Sequence, residues 1–271
     1  MPRCAWGRVL LCVGLLALCG CPNELELRRK SETRYRIAED AYARGDYGTA
    51  VLELERALDL NKKNAEAHYL MGLFWMRQRG DLMKAEREFK AAIEFHDGPY
   101  SMAKNALGNV YLVLERCDEA IPLFNEALDD IHYYKDSWAA EINLGRCLFM
   151  KGDLDGAITH LDRGVTINPH NCSGFMWRGD VWEKKGDHEK AAADYARSTS
   201  EAACKTFTDG WDRLGKAYIP LGKKVEAAQA FAACAASAPG TGPGESCAKL
   251  LKTLCMDEAV VAAALPACAH K

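Results

Sequence analysis

Cysteine is the residue type whose number and spacing point most directly to chemistry in this chain. The sequence of 271 residues holds twelve cysteines. Four of them lie within the first 21 residues, which leaves eight for the rest of the chain. An even number of cysteines in an exported chain is typical of disulfide bonds. Cys247 and Cys255 lie eight residues apart on a predicted helix, which is not the spacing of a zinc site.

The N-terminus has the pattern of an export signal. Arg3 and Arg8 form a positive segment before an apolar run from Val9 to Ala17. The apolar core is far shorter than the roughly 20 residues that span a bilayer. We therefore predict a secretory signal peptide over residues 1–20.

The signal ends in Leu18-Cys19-Gly20-Cys21, which fits the bacterial lipobox of an apolar residue, two small residues and an obligatory cysteine. We predict that Cys21 carries a diacylglyceryl group as the first residue of the mature chain. Cys19 is the weaker candidate, because bulky Leu18 would occupy the cleavage-side position. The alternative is an ordinary signal peptide with an incidental cysteine. Several acyl chains would anchor the protein firmly, since each buried CH₂ contributes roughly 0.8 kcal/mol.

The residue after the anchor indicates which membrane holds it. In enteric bacteria an Asp at this position retains a lipoprotein in the inner membrane, and here the position is Pro22. We therefore expect the outer membrane, with the protein facing the periplasm. Residues 21–30 form the anchor and a short charged lead-in, so the folded part should lie close to the membrane.

The sequence shows no clear catalytic motif. The seven histidines are scattered and show no metalloprotease spacing. The glycine-rich run from Gly240 to Gly244 is not followed by Lys-Ser/Thr, so it is not a phosphate loop. The net charge of −3 argues against a nucleic-acid partner. We expect a binding protein without enzymatic activity, cofactor, metal or small-molecule substrate.

The element that must position any site is a helical repeat. The segment 138–171 places small residues where two helices touch and large residues where they fill the space between them. This pattern is similar to the tetratricopeptide repeat, a helix-turn-helix unit that buries its apolar face only in a stack. The residues that carry the likeness are Leu144, Gly145, Gly152, Ala157, Leu161, Gly164 and Pro169.

Related patterns fill the rest of the mature chain. We predict an all-α tetratricopeptide solenoid, a right-handed superhelix with a concave face, forming one domain over residues 31–256. A helix over 245–256 would cap it, with Leu250, Leu251 and Leu254 covering the last repeat, and 257–271 would be a loosely held tail. The six repeats are expected at 31–64, 65–100, 101–137, 138–171, 172–205 and 208–241.

This arrangement suggests which cysteines could meet. Cys172 and Cys204 lie at ends of antiparallel helices that come together, and Cys117 and Cys147 lie on neighbouring layers. Cysteines can be bridged when their Cα atoms are within ~7 Å. The alternative is that Cys147 and Cys234 are small buried thiols. The disulfide candidates, with the partner of Cys234 left open between two, are Cys117, Cys147, Cys172, Cys204, Cys234, Cys247 and Cys255.

The concave face is where a partner is expected. In this repeat, five places of each first helix face inward, and they are apolar in repeats two to four but charged afterwards. A large apolar patch facing water indicates a binding site, and methionine suits adaptable surfaces. We predict that a protein helix or extended segment binds in a groove lined by Tyr35, Tyr42, Tyr69, Leu73, Met76, Met102, Asn105, Asn109, Leu112, Val113, Ile142, Phe149 and Met150.

The same residues allow two other interpretations. Tighter packing of the superhelix could bury them inside the protein. A carboxylate clamp for an acidic C-terminus would need Lys where the chain has Asn105, although Asn109 and Asn143 occupy two of its other places. The sequence therefore argues against that clamp.

The combination of features resembles the pilotin lipoproteins of type IV pilus systems. It rests on the lipobox at Cys21, the six repeats and the cysteine-rich body, and locally on the segment 133–169 with the similar stretch 105–109. The resemblance implies a non-enzymatic outer-membrane lipoprotein that binds secretin subunits and promotes their assembly into the ring through which the pilus passes. The cysteine-rich C-terminal extension departs from the family. The alternative function is a periplasmic scaffold or regulator of cell-wall enzymes.

Overall fold

The computed structural model describes residues 22–129, 136–200, 204, 208–263 and 266–268. The predicted signal peptide and the lipidation site at Cys21 lie outside these residues. The chain divides into two compact units, Met1–Gly98 and Pro99–Lys271, where a single domain over 31–256 was expected. The division falls at a helix-breaking pair, because Gly98 has a φ of 95° and Pro99 lacks a backbone N–H.

The first unit consists of two helix pairs. Helix α1 (Pro22–Ala43) packs on α2 (Tyr47–Leu60), and α3 (Ala65–Phe74) packs on α4 (Leu82–Phe95). The predicted lead-in is thus the first part of α1. A buried cluster joins α1, α2 and α3, and its members are Ala38, Leu54, Ala57, Ala67, Leu70, Met71 and Phe74.

Repeat two has one residue more before its Gly-Asp turn than the segment 138–171, and it forms a π-helical turn there. Residues Trp75–Arg79 continue α3 in π geometry, and the backbone N–H of Asp81 donates to the carbonyl of Trp75 at 2.9 Å. A single inserted residue in a helix produces such a turn. Gly80 then reverses the chain with a φ of 64°.

The second unit holds four more helix pairs and a C-terminal extension. Each second helix packs on the first helix before it, and on the first helix of the next repeat. The helices are α5 (Ser101–Val113), α6 (Cys117–Asp129), α7 (Ser137–Met150), α8 (Leu154–Ile167), α9 (Cys172–Lys185), α10 (His188–Ser200), α11 (Thr208–Tyr218), α12 (Lys224–Ser237), α13 (Gly242–Leu254) and α14 (Glu258–Ala262). The described residues form no strand, and the all-α repeat prediction is confirmed.

In five repeats, a large side chain of the second helix packs directly against a glycine of the first helix. A Cβ atom added at Gly145 would lie 2.6 Å from Cγ of Leu161. Real Cβ contacts are longer than this, so the two helices approach at the glycine. The same relationship joins Gly72 to Phe89, Gly108 to Phe124, Gly179 to Tyr195, and Gly215 to Phe231.

A left-handed residue ends the first helix of each repeat. In repeats one, two, four and five the Asp that follows it accepts a hydrogen bond from the N-terminus of the second helix, as Asp153 does from the N–H of Gly156 at 2.9 Å. Repeats three and six have Arg116 and Lys223 at this place instead. The left-handed residue is glycine in every repeat but the third, where Glu115 adopts a φ of 59°.

The C-terminal extension is held more firmly than expected. Helix α13 covers the last repeat with Leu250, Leu251 and Leu254, as predicted for the cap. The segment 257–271, however, is not simply a loose tail. Val260 of α14 is fully buried, and α14 contacts α12. A disulfide also ties Cys268 to Cys255, so described parts of this segment belong to the fold.

Candidate protein-binding site

The first helices of successive repeats lie side by side in the second unit. Helix α5 contacts α7, and α7 contacts α9. We call the surface that they share with α11 the first-helix face. Its residues are Met102, Asn105, Asn109, Val113, Asn143, Arg146, Phe149, Met150, Trp177, Asp180 and Arg213.

Three apolar side chains on this face are exposed. Met102 is 45% exposed, Val113 is 54% exposed and Met150 is 47% exposed. They belong to α5 and α7, the helices of repeats three and four. This part of the predicted groove can therefore contact a partner directly.

Two predicted groove residues are instead buried. Leu112 is 2% exposed and Ile142 is 3% exposed, so neither lines a surface. Ile142 packs where glycines leave room, because a Cβ atom at Gly164 would lie 2.6 Å from its Cγ1 and one at Gly174 would lie 2.8 Å from its Cδ1. For these two residues the structure corrects the prediction, and packing inside the stack is the reason.

A polar network crosses the middle of the face. The Asn143 side chain on α7 donates from Nδ2 to Oδ1 of Asn105 on α5 at 3.3 Å. Arg146, one turn further along α7, has Nη1 3.5 Å from Oδ1 of Asn143. Its guanidinium carbon lies 4.6 Å from the centre of the Trp177 ring on α9. Phe149 contacts the same ring at 6.4 Å between centroids.

The face becomes charged toward α11. Asp180 on α9 accepts hydrogen bonds from the Tyr195 hydroxyl at 2.8 Å and from Nε of Arg213 at 2.7 Å. Burial raises the pKa of Asp180, and the charge of Arg213 opposes that rise. Burial together with Asp180 also raises the pKa of Tyr195. Asp180 and Arg213 thus neutralise each other within the chain.

The predicted groove residues of the first unit are mostly part of its packing. Tyr35, Tyr42 and Leu73 are half-buried against the cluster that joins α1, α2 and α3. Tyr35 donates from its hydroxyl to Oε1 of Glu39 at 2.9 Å, and burial together with this bond raises its pKa. Tyr69 lies 5.9 Å from the Phe89 ring, between centroids.

Two predicted residues complete the set. Met76, in the π-helical turn, and Asn109, on α5, are both half-buried. The exposed apolar surface of the prediction is therefore concentrated in the second unit.

The described cysteines form four disulfides. The predicted pairs Cys117–Cys147 and Cys172–Cys204 are confirmed, with Cα atoms 5.3 Å and 5.8 Å apart. Cys234 pairs with Cys247 rather than with Cys255, at 5.9 Å. Cys147 and Cys234 are thus bonded and are not free buried thiols.

The fourth pair, Cys255–Cys268, has Cα atoms 5.5 Å apart and includes Cys268, which was not among the predicted disulfide cysteines. The even count was the signal for it, because seven candidates leave one cysteine without a partner. Within the described ranges, no group of three or more His, Cys, Asp or Glu side chains is placed to hold a metal ion. None of the helices described there is long and apolar enough to cross a membrane.

Comparison with known families agrees with the repeat architecture. One model of the tetratricopeptide repeat matches residues 77–132 and 105–171. A second, described as a TPR repeat, matches residues 40–78. Among curated proteins, BBSome complex member BBS4 of Bos taurus is 22% identical over 196 residues, which cover 71% of this chain and 36% of that protein. The chain thus spans about a third of this relative.

Two solved structures are similar over nearly their whole length. The crystal structure of PilW, a widely conserved type IV pilus biogenesis factor, superposes with a TM-score of 0.69 at 21% identity and covers 80% of this chain and 97% of PilW. PilF of Pseudomonas aeruginosa superposes with a TM-score of 0.67 at 16% identity and covers 82% of this chain and 97% of PilF. At these identities the likeness shows a shared fold.

Proposed function

We propose that this tetratricopeptide repeat protein is a non-enzymatic outer-membrane lipoprotein that binds secretin subunits and promotes their assembly for type IV pilus biogenesis. The observation that carries the proposal is the extent of the structural likeness. The chain contains a counterpart for 97% of both PilW and PilF, two proteins connected with the type IV pilus. A shared fold does not by itself transfer a function, so two features of this chain are needed as support.

The first supporting feature is the first-helix face. Tetratricopeptide repeat proteins mediate protein–protein interactions, and this face combines exposed Met102, Val113 and Met150 with amide and guanidinium groups. Adaptable apolar side chains beside hydrogen-bonding groups suit a helical or extended protein segment. A secretin subunit that must be held before assembly is such a partner.

The second supporting feature is the predicted anchor. Lipid on Cys21 would place the protein at a membrane, and Pro22 lacks the charge of the inner-membrane retention signal. Helix α1 begins at Pro22, directly after the lipidated position, so the folded first unit would start at the membrane surface. A factor that acts on secretin subunits at the outer membrane needs this location.

The test is deletion of the gene in its own organism. We expect detergent-resistant secretin multimers to disappear or fall sharply, together with twitching motility, and a plasmid copy of the intact gene to restore both. A Cys21→Ala copy should mislocalise the protein and fail to restore multimers. Normal multimers and normal pili in the deletion strain would refute the proposed function. Membrane retention of the Cys21→Ala protein would refute the anchor alone.

A further inference from the structure

Arg146 is a half-buried cation without a carboxylate partner among the described residues. Its Nε atom is enclosed and makes no hydrogen bond there. Within the described ranges its only polar contact is the long one from Nη1 to Asn143, at 3.5 Å. Burial lowers the pKa of Arg146. A desolvated charge of this kind is costly unless a counter-charge meets it.

Other arginines in the same unit have carboxylate partners. Arg213 donates to Asp180 at 2.7 Å. Arg178 donates to Asp194 and to Asp162, both at 2.6 Å. Asp180 and Arg146 occupy the same place in successive repeats. Each contacts a residue on the first helix of the repeat that follows. Asp180 meets Arg213 there, whereas Arg146 meets the uncharged Trp177 ring.

We propose that Arg146 binds the side-chain carboxylate of an Asp or Glu in the protein segment that occupies the first-helix face. This inference rests on the proposed function and specifies the chemistry of the partner. A guanidinium offers parallel N–H groups to a carboxylate, which makes the pair strong and directional. Nη2 makes no hydrogen bond within the described part of the chain and is not enclosed, so the Nη edge is open to a ligand.

Neighbouring side chains position the Arg146 guanidinium to bind a carboxylate. The Trp177 ring supports one side of the guanidinium at 4.6 Å. Asn143 is itself fixed by Asn105 at 3.3 Å. Met150, 47% exposed, follows Arg146 by about one helical turn. The site therefore fits an acidic residue with an apolar neighbour.

A side chain fits this position better than a chain terminus. The first-helix face continues past Arg146 in both directions, toward Asn105 on α5 and toward Asp180 on α9. A segment that crosses the face presents side chains at its middle, where Arg146 lies. A clamp for C-termini requires Lys at the place that Asn105 occupies. The positive charge of this face is carried by Arg146 instead.

The first experiment tests the anion site without any secretin. Sodium acetate replaces sodium chloride at constant ionic strength, and the Nε–H resonance of Arg146 is followed by NMR in the purified full chain. We expect a saturable shift of this resonance. The matched control is Arg163→Gln, because Arg163 on α8 is 59% exposed, and this variant should respond as the wild type does. Absence of a saturable shift overturns the inference.

The second experiment tests the partner. Overlapping C-terminally amidated peptides of the organism's secretin subunit are measured for binding to the chain. Arg146→Gln should weaken the tightest peptide about tenfold, and replacing one Asp or Glu of that peptide by its amide should do the same. In the Arg146→Gln variant the peptide change should have no further effect on affinity. In the Arg163→Gln variant the peptide change should weaken binding as it does in the wild type.

The outcomes separate the two proposals. If acetate binds at Arg146 but no secretin peptide binds the chain, the secretin assignment is wrong and the carboxylate site stands. If peptides bind with equal affinity to wild type and Arg146→Gln, the inference is wrong and the proposed function stands. If only peptides with a free C-terminal carboxylate depend on Arg146, the assignment to a side chain is wrong.

Discussion

The ring of Phe124 lies so close to Gly108 that a Cβ atom on this glycine would be 2.6 Å from Cε1 of the ring. We expect Gly108→Ala to lower the free energy of unfolding by about 1–2 kcal/mol, because overpacking outweighs the gain in helix propensity. Gly48→Ala is the control, since its Cβ would meet nothing nearer than 3.8 Å. Denaturant unfolding measures both variants, and equal stability of Gly108→Ala and wild type would contradict this packing.

The turn of repeat three carries a backbone strain that glycine relieves elsewhere. Glu115 has a φ of 59°, where Gly152 of the next repeat has a φ of 84°. Glu115→Gly should raise the free energy of unfolding by about 0.5–1 kcal/mol, because glycine adopts this conformation without steric cost. The reciprocal Gly152→Glu should lower it by a similar amount. Thermal unfolding of the two variants checks the pair, and opposite signs to these would refute the strain.

The four disulfides predict both a thiol count and a stability. Unfolded, unreduced protein should show almost none of the eight disulfide-forming cysteines of the second unit as free thiols. Cys172 and Cys204 are 32 residues apart, so the double change to Ala should cost about 3–4 kcal/mol of unfolding free energy. Thiol titration and denaturant unfolding are the measurements. Eight free thiols in oxidised protein would exclude the pairing.

His68 gives the first unit a pH-dependent stability. Burial alone would lower its pKa, but hydrogen bonds with Glu88 and the Lys62 carbonyl raise it above the ordinary 6.5. The stabilisation from this protonated histidine is therefore complete below 6.5 and is lost as pH rises through the higher folded value. The melting temperature should fall over this window, and less so in His68→Gln. Equal slopes in the wild type and in His68→Gln would contradict this account.

The repeat architecture could be predicted from sequence because it depends on local patterns. Glycines such as Gly145 and large residues such as Leu161 mark helix contacts at fixed places. The division at Gly98 was missed, since it depends on how contacts are distributed through the whole chain. The attachment of the C-terminal segment depends likewise on a tertiary contact, the disulfide between Cys255 and Cys268.

The candidate site was predictable in position but not in composition. Inward places on the first helices identified Met102, Val113 and Met150, which are exposed as expected. The same rule misplaced Ile142, because its burial depends on Gly164 and Gly174 of the following helices. Arg146 also occupies an inward place but was not included in the predicted groove, and only the three-dimensional neighbours show that no described carboxylate pairs with it.

The central claim is that the first-helix face holds a secretin subunit, and site-specific photo-crosslinking in living cells tests it most directly. A photoreactive phenylalanine analogue replaces Met150, and in a second strain it replaces Ile167 of α8, which is equally exposed at 47%. Immunoblotting for the secretin follows irradiation. We predict a secretin adduct from position 150 and none from position 167. A secretin adduct of equal yield at both positions, or none from position 150 while pili assemble normally, would contradict the account.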